Sequence, residues 1–347
     1  MSTITRRYRT LTATLAIAAL AVGAAACGSS NEESSNGAEA KGQVTVYTGR
    51  HYGIEPVFEE FTKETGIEVR FTSGSDPELR ARLEAEGKNT PADLIMTADA
   101  ANIELAAKAG LLSPVDSAAL ASAIPEELRA ADNTWFALSR RLRVIMTSSE
   151  RVIAAPQTYA EVGDPKWKDK LCLRPSTHPY TQSLVAGMIN NIGADATRKI
   201  VDSWVANNPL FINSDTDMLK AIKAGDCDVA LTNSYYLGRL LNEDKSFPVT
   251  LTWPDQATTG AHLNISAAAV TANAPNRAAA VTLLEWLATK GQSSFSSVNN
   301  EFPADPKVAP EPIIAGFGPF VADTKSVRLL GSLNPQAVEL LSAAKYQ

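Results

Sequence analysis

The chain has 347 residues, with 32 Lys and Arg against 38 Asp and Glu, three histidines and three cysteines, for a formal net charge of −6. An acidic chain is a poor partner for phosphate backbones, which excludes nucleic acid as the first guess for a ligand. Composition is that of an ordinary globular protein, and no apolar run beyond the first thirty residues is long enough to span a bilayer.

Residues 1–26 carry the grammar of an export signal: Arg6, Arg7 and Arg9, an apolar stretch from Leu11 to Val22, then small residues up to Cys27. A cysteine at that boundary predicts a lipoprotein, with Cys27 as the lipidated first residue on the outer face of the bacterial cytoplasmic membrane. Residues 27–42 are Ser, Asn, Glu and Gly with little to bury, which predicts a flexible tether. Without the leader, which holds three arginines and no acid, the chain carries about −9. The remaining 43–347 is the length at which one core gives way to two domains.

Gln43 to Thr48 alternates as a strand and stops at Gly49-Arg50-His51-Tyr52-Gly53. A helix follows from Pro56 with Val57, Phe58 and Phe61 on one face, closed by Gly66. A strand at 67–72, a helix at 77–86, a strand at 92–97 and a helix at 101–109 complete a β-α-β-α-β series. That grammar predicts an α/β fold, a largely parallel sheet with helices on both faces. A second unit is read from Val144, with a strand at 171–174, the loop Pro175 to Pro179, a helix at about 182–190 and another at about 217–224 capped by Gly225. Strands are expected at 249–253 and 263–270, the latter returning the chain to the first unit, then helices at 278–290 and from Pro335 onward.

Cys172 and Cys227 both lie in β-like runs of an exported chain, so a disulfide between them is expected, with two buried free thiols as the alternative. Bland readings suit several polar groups: His178 on a solvated loop, His262 on a crossing strand, Asp93 and Asp99 as caps, Asp226 and Asp228 in a turn.

Three strand-to-helix junctions carry tyrosine: Tyr52 beside His51, Tyr180, and the pair Tyr235 and Tyr236 after the run Val229 to Leu231. In open α/β sheets ligands bind at the carboxyl ends of strands. A Tyr-Tyr pair alone commonly means one core ring and one surface ring. Phenolates are also hard anionic oxygen donors, suited to a small trivalent cation.

Thr-Gly-Arg-His-Tyr-Gly, Pro-Ala-Asp-Leu-Ile-Met-Thr-Ala-Asp-Ala, Pro-Tyr-Thr-Gln-Ser-Leu-Val-Ala and Gly-Asp-Cys-Asp-Val-Ala-Leu-Thr-Asn-Ser-Tyr-Tyr-Leu-Gly resemble the bacterial ferric-iron-binding proteins that feed ABC-type importers, in order over most of 43–310. The resemblance implies a two-lobed, periplasmic-binding-protein-like (type II) fold, lobes joined by crossing strands and iron in the cleft. It implies a first lobe of 43–142 plus about 262–310 and a second of 143–261 plus about 311–347. It also implies Fe3+ ligation by His51, Tyr52, Tyr180, Tyr235 and Tyr236, as in the tyrosine-rich subgroup. Three or four phenolates call for a guanidinium, Arg143 or Arg50, to hold a phenolate or a synergistic anion such as carbonate. The implied partners are ABC permease and ATPase subunits and iron or a ferric chelate. The membrane is touched through the lipid anchor only, and one cleft per chain suggests a monomer.

Two other readings stay open. The same fold can carry a polyamine, thiamine or an oxyanion. An exported enzyme finds no Gly-x-Ser-x-Gly elbow, Gly-rich phosphate loop or His-Glu-x-x-His.

Overall fold

The computed structural model describes residues 42–50 and 53–347. The leader, Cys27, the tether, His51 and Tyr52 lie outside the described residues. Among the described residues, no helix is long and apolar enough to cross a membrane.

The first part follows the expected alternation. β1 (Gln43–Thr48) buries Val44 and Val46, and α1 (Glu55–Thr65) sets Val57, Phe58 and Phe61 against the sheet. Pro56 starts that helix, and Gly66, at φ 75°, closes it with its N–H on the Thr62 carbonyl. β2 (Glu68–Ser73) leads to α2 (Asp76–Glu86), which opens on a Ser75–Glu78 capping box. β3 (Leu94–Thr97) is buried throughout, and α3 (Ala100–Lys108) is capped by the Asp99 carboxylate, which accepts from Ala101 N and Asn102 N. Asp99 is therefore the cap expected of it. β1 lies between β2 and β3 and is parallel to both.

After α4 (Ala118–Ala123) comes β4 (Phe136–Ser148), buried except at Arg140. The sequence reading started this strand at Val144. It begins eight residues earlier because Arg140, Arg141 and Arg143 interrupt the apolar pattern while Arg141 and Arg143 are buried. Then follow β5 (Leu171–Leu173), α5 (Pro179–Ile192), α6 (Ala194–Ala206), β6 (Leu210–Phe211), α7 (Asp215–Ala224), β7 (Val229–Asn233), α8 (Ser234–Glu243) and β8 (Val249–Thr252). α6, absent from the sequence reading, buries Thr197, Val201 and Trp204. The chain closes with β9 (Ala261–Val270), α9 (Arg277–Ala288), α10 (Gln292–Ser297), β10 (Phe302–Pro303), α11 (Pro312–Ala315), β11 (Ala322–Asp323) and α12 (Leu330–Ala343). α12 starts before Pro335 and carries it inside, where a start had been expected.

The main strand order is β2-β1-β3-β9-β4-β7-β5-β6. Its outer parts are parallel, as expected of βαβ units, whereas β9 and β4 in the middle run antiparallel to their neighbours. Residues 136–142 of β4 pair with β9, while 143–147 pair with β7 and 145–148 with β8 on the other side. β4 and β9 are thus the crossing strands of a two-lobed fold, and Arg141 and Arg143 straddle the point of passage. Tyr159 fastens that point: its hydroxyl donates to the Arg143 carbonyl at 2.6 Å and accepts from His262 N at 2.9 Å. Cys172 of β5 and Cys227, two residues before β7, are disulfide-bonded with Cα atoms 5.9 Å apart, beside the β5–β7 pairing.

Candidate metal centre

β5 and β7 are adjacent and parallel, so their carboxyl ends lie side by side, and each leads into a helix. Tyr235 and Tyr236 occupy the first turn of α8, which begins where β7 stops. Tyr180 occupies the first turn of α5, which His178 caps by accepting from Tyr180 N at 3.1 Å. The phenol oxygens of Tyr180 and Tyr235 are consequently 3.3 Å apart. The rings of Tyr235 and Tyr236 lie 4.1 Å apart between centroids and are tilted by 30°. His178 is therefore a half-buried cap, not the solvated loop residue expected, because Pro179 starts the helix earlier than its apolar pattern suggests.

Guanidinium groups surround these phenols. Arg141, Arg174 and Arg143 lie 5.3, 5.9 and 6.0 Å from the Tyr180 ring centroid, and Arg239 lies 5.1 Å from that of Tyr235 and 5.7 Å from that of Tyr236. Each comes from an element that the site already uses. Arg143 pairs across the sheet with Asn233, the last residue of β7. Arg141 precedes it by two, hence on the same face of β4. Arg174 follows β5, and Arg239 follows Tyr235 by one helical turn. Asp215, buried at the start of α7, ion-pairs with Arg143 and, at 3.4 Å, with Arg174. Among the described residues, no carboxylate is within ion-pair distance of Arg141, which donates to Ser266 Oγ at 3.3 Å and to the Ala98 carbonyl.

Burial sets the electrostatics. The Tyr235 phenol is held well above its ordinary value of 10.0 by burial, and by Tyr180 and Tyr236, with Arg141 pulling the other way. Arg141 loses solvation, but Tyr180, Glu301 and Tyr235 outweigh that and push its basicity up. A trivalent cation would reverse the balance at the phenols, because a bound ion displaces protons that burial retains.

On the side of β1, Arg50 turns to Glu301, 2.7 Å away, and to Ser139 Oγ at 3.2 Å. Burial pushes the Glu301 carboxyl up, yet Arg50 and Arg141 more than compensate and hold it below the usual range. Asp76 accepts from Ala98 N at 3.0 Å, and burial raises it to about 7, helped by Asp99 and opposed by Arg141 and Arg50. Tyr180, Tyr235, Tyr236 and Arg143 are thus brought together, whereas Arg50 is engaged by Glu301. Arg141, Arg174, Arg239 and Asp215 are additions to the sequence reading. Arg141 and Arg239 stand at strand period from Arg143 and at helical spacing from Tyr235, but no local pattern shows that either faces the phenols. No cluster of three or more His, Cys, Asp or Glu able to hold a metal occurs among the described residues, which leaves phenols as the hard donors.

The sequence pattern of the bacterial extracellular solute-binding proteins matches residues 48–293. The chain is 35% identical over 317 residues to iron uptake protein A1 of Synechocystis sp., covering 88% of each. Its fold is similar to that of the Trichodesmium protein IdiA (FutA) in complex with iron and citrate, at TM-score 0.83, 36% identity and coverage of 88% of this chain and 100% of that one. It is likewise similar to ferric iron-binding protein A of Mannheimia haemolytica in an open conformation, at TM-score 0.80, 33% identity and coverage of 88% and 98%. On sequence and fold alike, this chain belongs to the family of bacterial extracellular solute-binding proteins.

Proposed function

We propose that the chain is an extracytoplasmic ferric-iron-binding protein that presents its cargo to an ABC importer, and that it is a carrier, not an enzyme. The observation that carries this reading is the Tyr180–Tyr235 hydroxyl pair at 3.3 Å, with Tyr236 stacked beside it under four guanidinium groups. Relatives named as iron uptake and ferric iron-binding proteins support it.

Tyr180, Tyr235 and Tyr236 of the second lobe take the cation as phenolates, and Tyr52 with His51 completes the set when the lobes close. Three phenolates balance a trivalent ion, so the unpaired charge of Arg141 has room for an anionic co-ligand, carbonate or citrate among them; the Trichodesmium relative holds iron with citrate. Arg143 and Arg174, tied to Asp215, keep that side of the cleft positive. Arg50 acts through Glu301. The lobes divide at about 142/143 and 261/262 on β4 and β9, with 311–347 in the second. Cys27 anchors the monomeric chain by lipid to the outer face of the cytoplasmic membrane, where permease and ATPase subunits receive the iron.

The test is competition against a ferric chelator by the chain carrying Tyr235→Phe with Tyr236→Phe. Loss of roughly a thousandfold in affinity, about 4 kcal/mol, is expected with the melting temperature retained, since both rings stay. Unchanged affinity would sink the assignment.

A further inference from the structure

A cavity of about 290 Å³ opens beside the last two turns of α5, at the other end of that helix from Tyr180. Met188, Ile192 and Ile200 form its apolar wall, and Tyr159, Asp255, His262 and Asp323 are its charged or titratable groups. The His262 ring is buried at 4% exposure, with Nε2 3.1 Å from Ser183 Oγ. Ser183 Oγ also accepts from Asn264 Nδ2 at 2.9 Å, and its second lone pair and its hydrogen let it meet Nε2 as acceptor or as donor. The ring is neutral because burial, with Arg143 and Arg141, outweighs Asp323 and lowers it to about 4.

The other ring nitrogen, Nδ1, has no partner among the described residues. Gly187 leaves the space in front of it open: a Cβ there would lie 2.7 Å from Nδ1 and 3.8 Å from Asp323 Oδ2. An unsatisfied buried polar atom is costly and calls for a partner. Asp323 is occupied by Asn191 Nδ2 at 2.7 Å and by Ser326. Among the described residues neither Asp255 nor Asp323 has a cation within ion-pair distance. The cavity therefore offers an unpartnered ring nitrogen, two carboxylates without an ion-paired cation, threonine hydroxyls and an apolar wall, in a volume near the lower end for small-molecule sites.

We propose that this cavity binds a compact amphipathic amine bearing a hydroxyl. The apolar body lies on Met188, Ile192 and Ile200, the ammonium faces Asp255, and the hydroxyl, which can donate or accept, pairs with His262 Nδ1. The site does not depend on the iron reading.

The experiment is calorimetric titration of the metal-free full chain at pH 7.5 with 2-phenylethanolamine, which carries all three features. One site with a dissociation constant on the order of 1 mM or tighter is expected for a ligand of about ten heavy atoms. Ile192→Trp, at the half-exposed rim, should abolish binding, and Asp255→Asn should weaken it about tenfold. 2-Phenylethanol, lacking the amine, should bind at least about fivefold more weakly, and Tyr235→Phe should change nothing. No saturation by about 10 mM ligand, or equal binding by both variants with melting temperatures intact, would overturn the proposal and leave the cavity to water.

Discussion

At the scale of single residues, the phenols were legible and their charged surroundings were not. Tyr180, Tyr235 and Tyr236 stand directly after strand-like runs, so their place at the carboxyl ends of adjacent strands follows from pattern alone. Arginines in a sequence look like surface. Arg141 is buried because burial is offset by groups far along the chain, Ala98 and Ser266, which no local pattern reveals. Asp76 is the other residue that only three dimensions expose. Its folded value of about 7 lies above the 3.8 of a free carboxyl, so the folded chain holds an extra proton between those limits. The stability this group contributes is complete below about pH 4 and is lost as the pH rises through about 7. Asp76→Asn keeps an acceptor for Ala98 N and cannot titrate. Relative to the parent it should gain stability from pH 4 to pH 8, by at most roughly 4 kcal/mol, read by urea unfolding at both pH values. A constant difference would show that Asp76 ionises as freely folded as unfolded.

Among the elements, β4 does the most to connect sequence with site. Its first half pairs with β9 and its second with β7, so one thirteen-residue strand delivers Arg141 and Arg143 to the crossing point. The parallel outer strands were readable from their βαβ spacing. The antiparallel centre was not, because pairing between residues some eighty or more apart leaves no local period. α6 was hidden for a related reason, a helix whose only large buried side chains are Val201 and Trp204. Two tests belong here. Tyr159→Phe removes the hydroxyl that ties Arg143 to His262 and leaves both backbone groups buried, at a cost of about 2 kcal/mol in urea unfolding. A loss below a few tenths would mean the two strands need no tie at that point. The Cys172–Cys227 bridge, spanning 55 positions, should leave no titratable thiol at either cysteine in the unfolded, unreduced chain. Reducing it should lower stability by about 4 kcal/mol, the upper figure from chain entropy. Two thiols in that titration would return the alternative of buried free cysteines.

For the whole molecule, the fold and the cargo are separate inferences. Crossing strands β4 and β9 join two α/β halves, and similarity to solute-binding proteins extends over 88% of the chain. On the proposed reading, closure around the cation would supply the binding energy that selects one conformation for a membrane partner to recognise. Such a carrier needs no catalytic group, and in the proposed function the phenols serve only as ligands. The central claim is that these phenols become phenolates on iron. It is tested most directly by titrating the purified chain with ferric iron on a weak chelator while recording visible absorption. The account predicts a broad tyrosinate-to-iron band that saturates at one iron per chain and is lost in the chain carrying Tyr235→Phe with Tyr236→Phe. A chain that stays colourless at saturation, or a band that survives loss of both phenols, would contradict it.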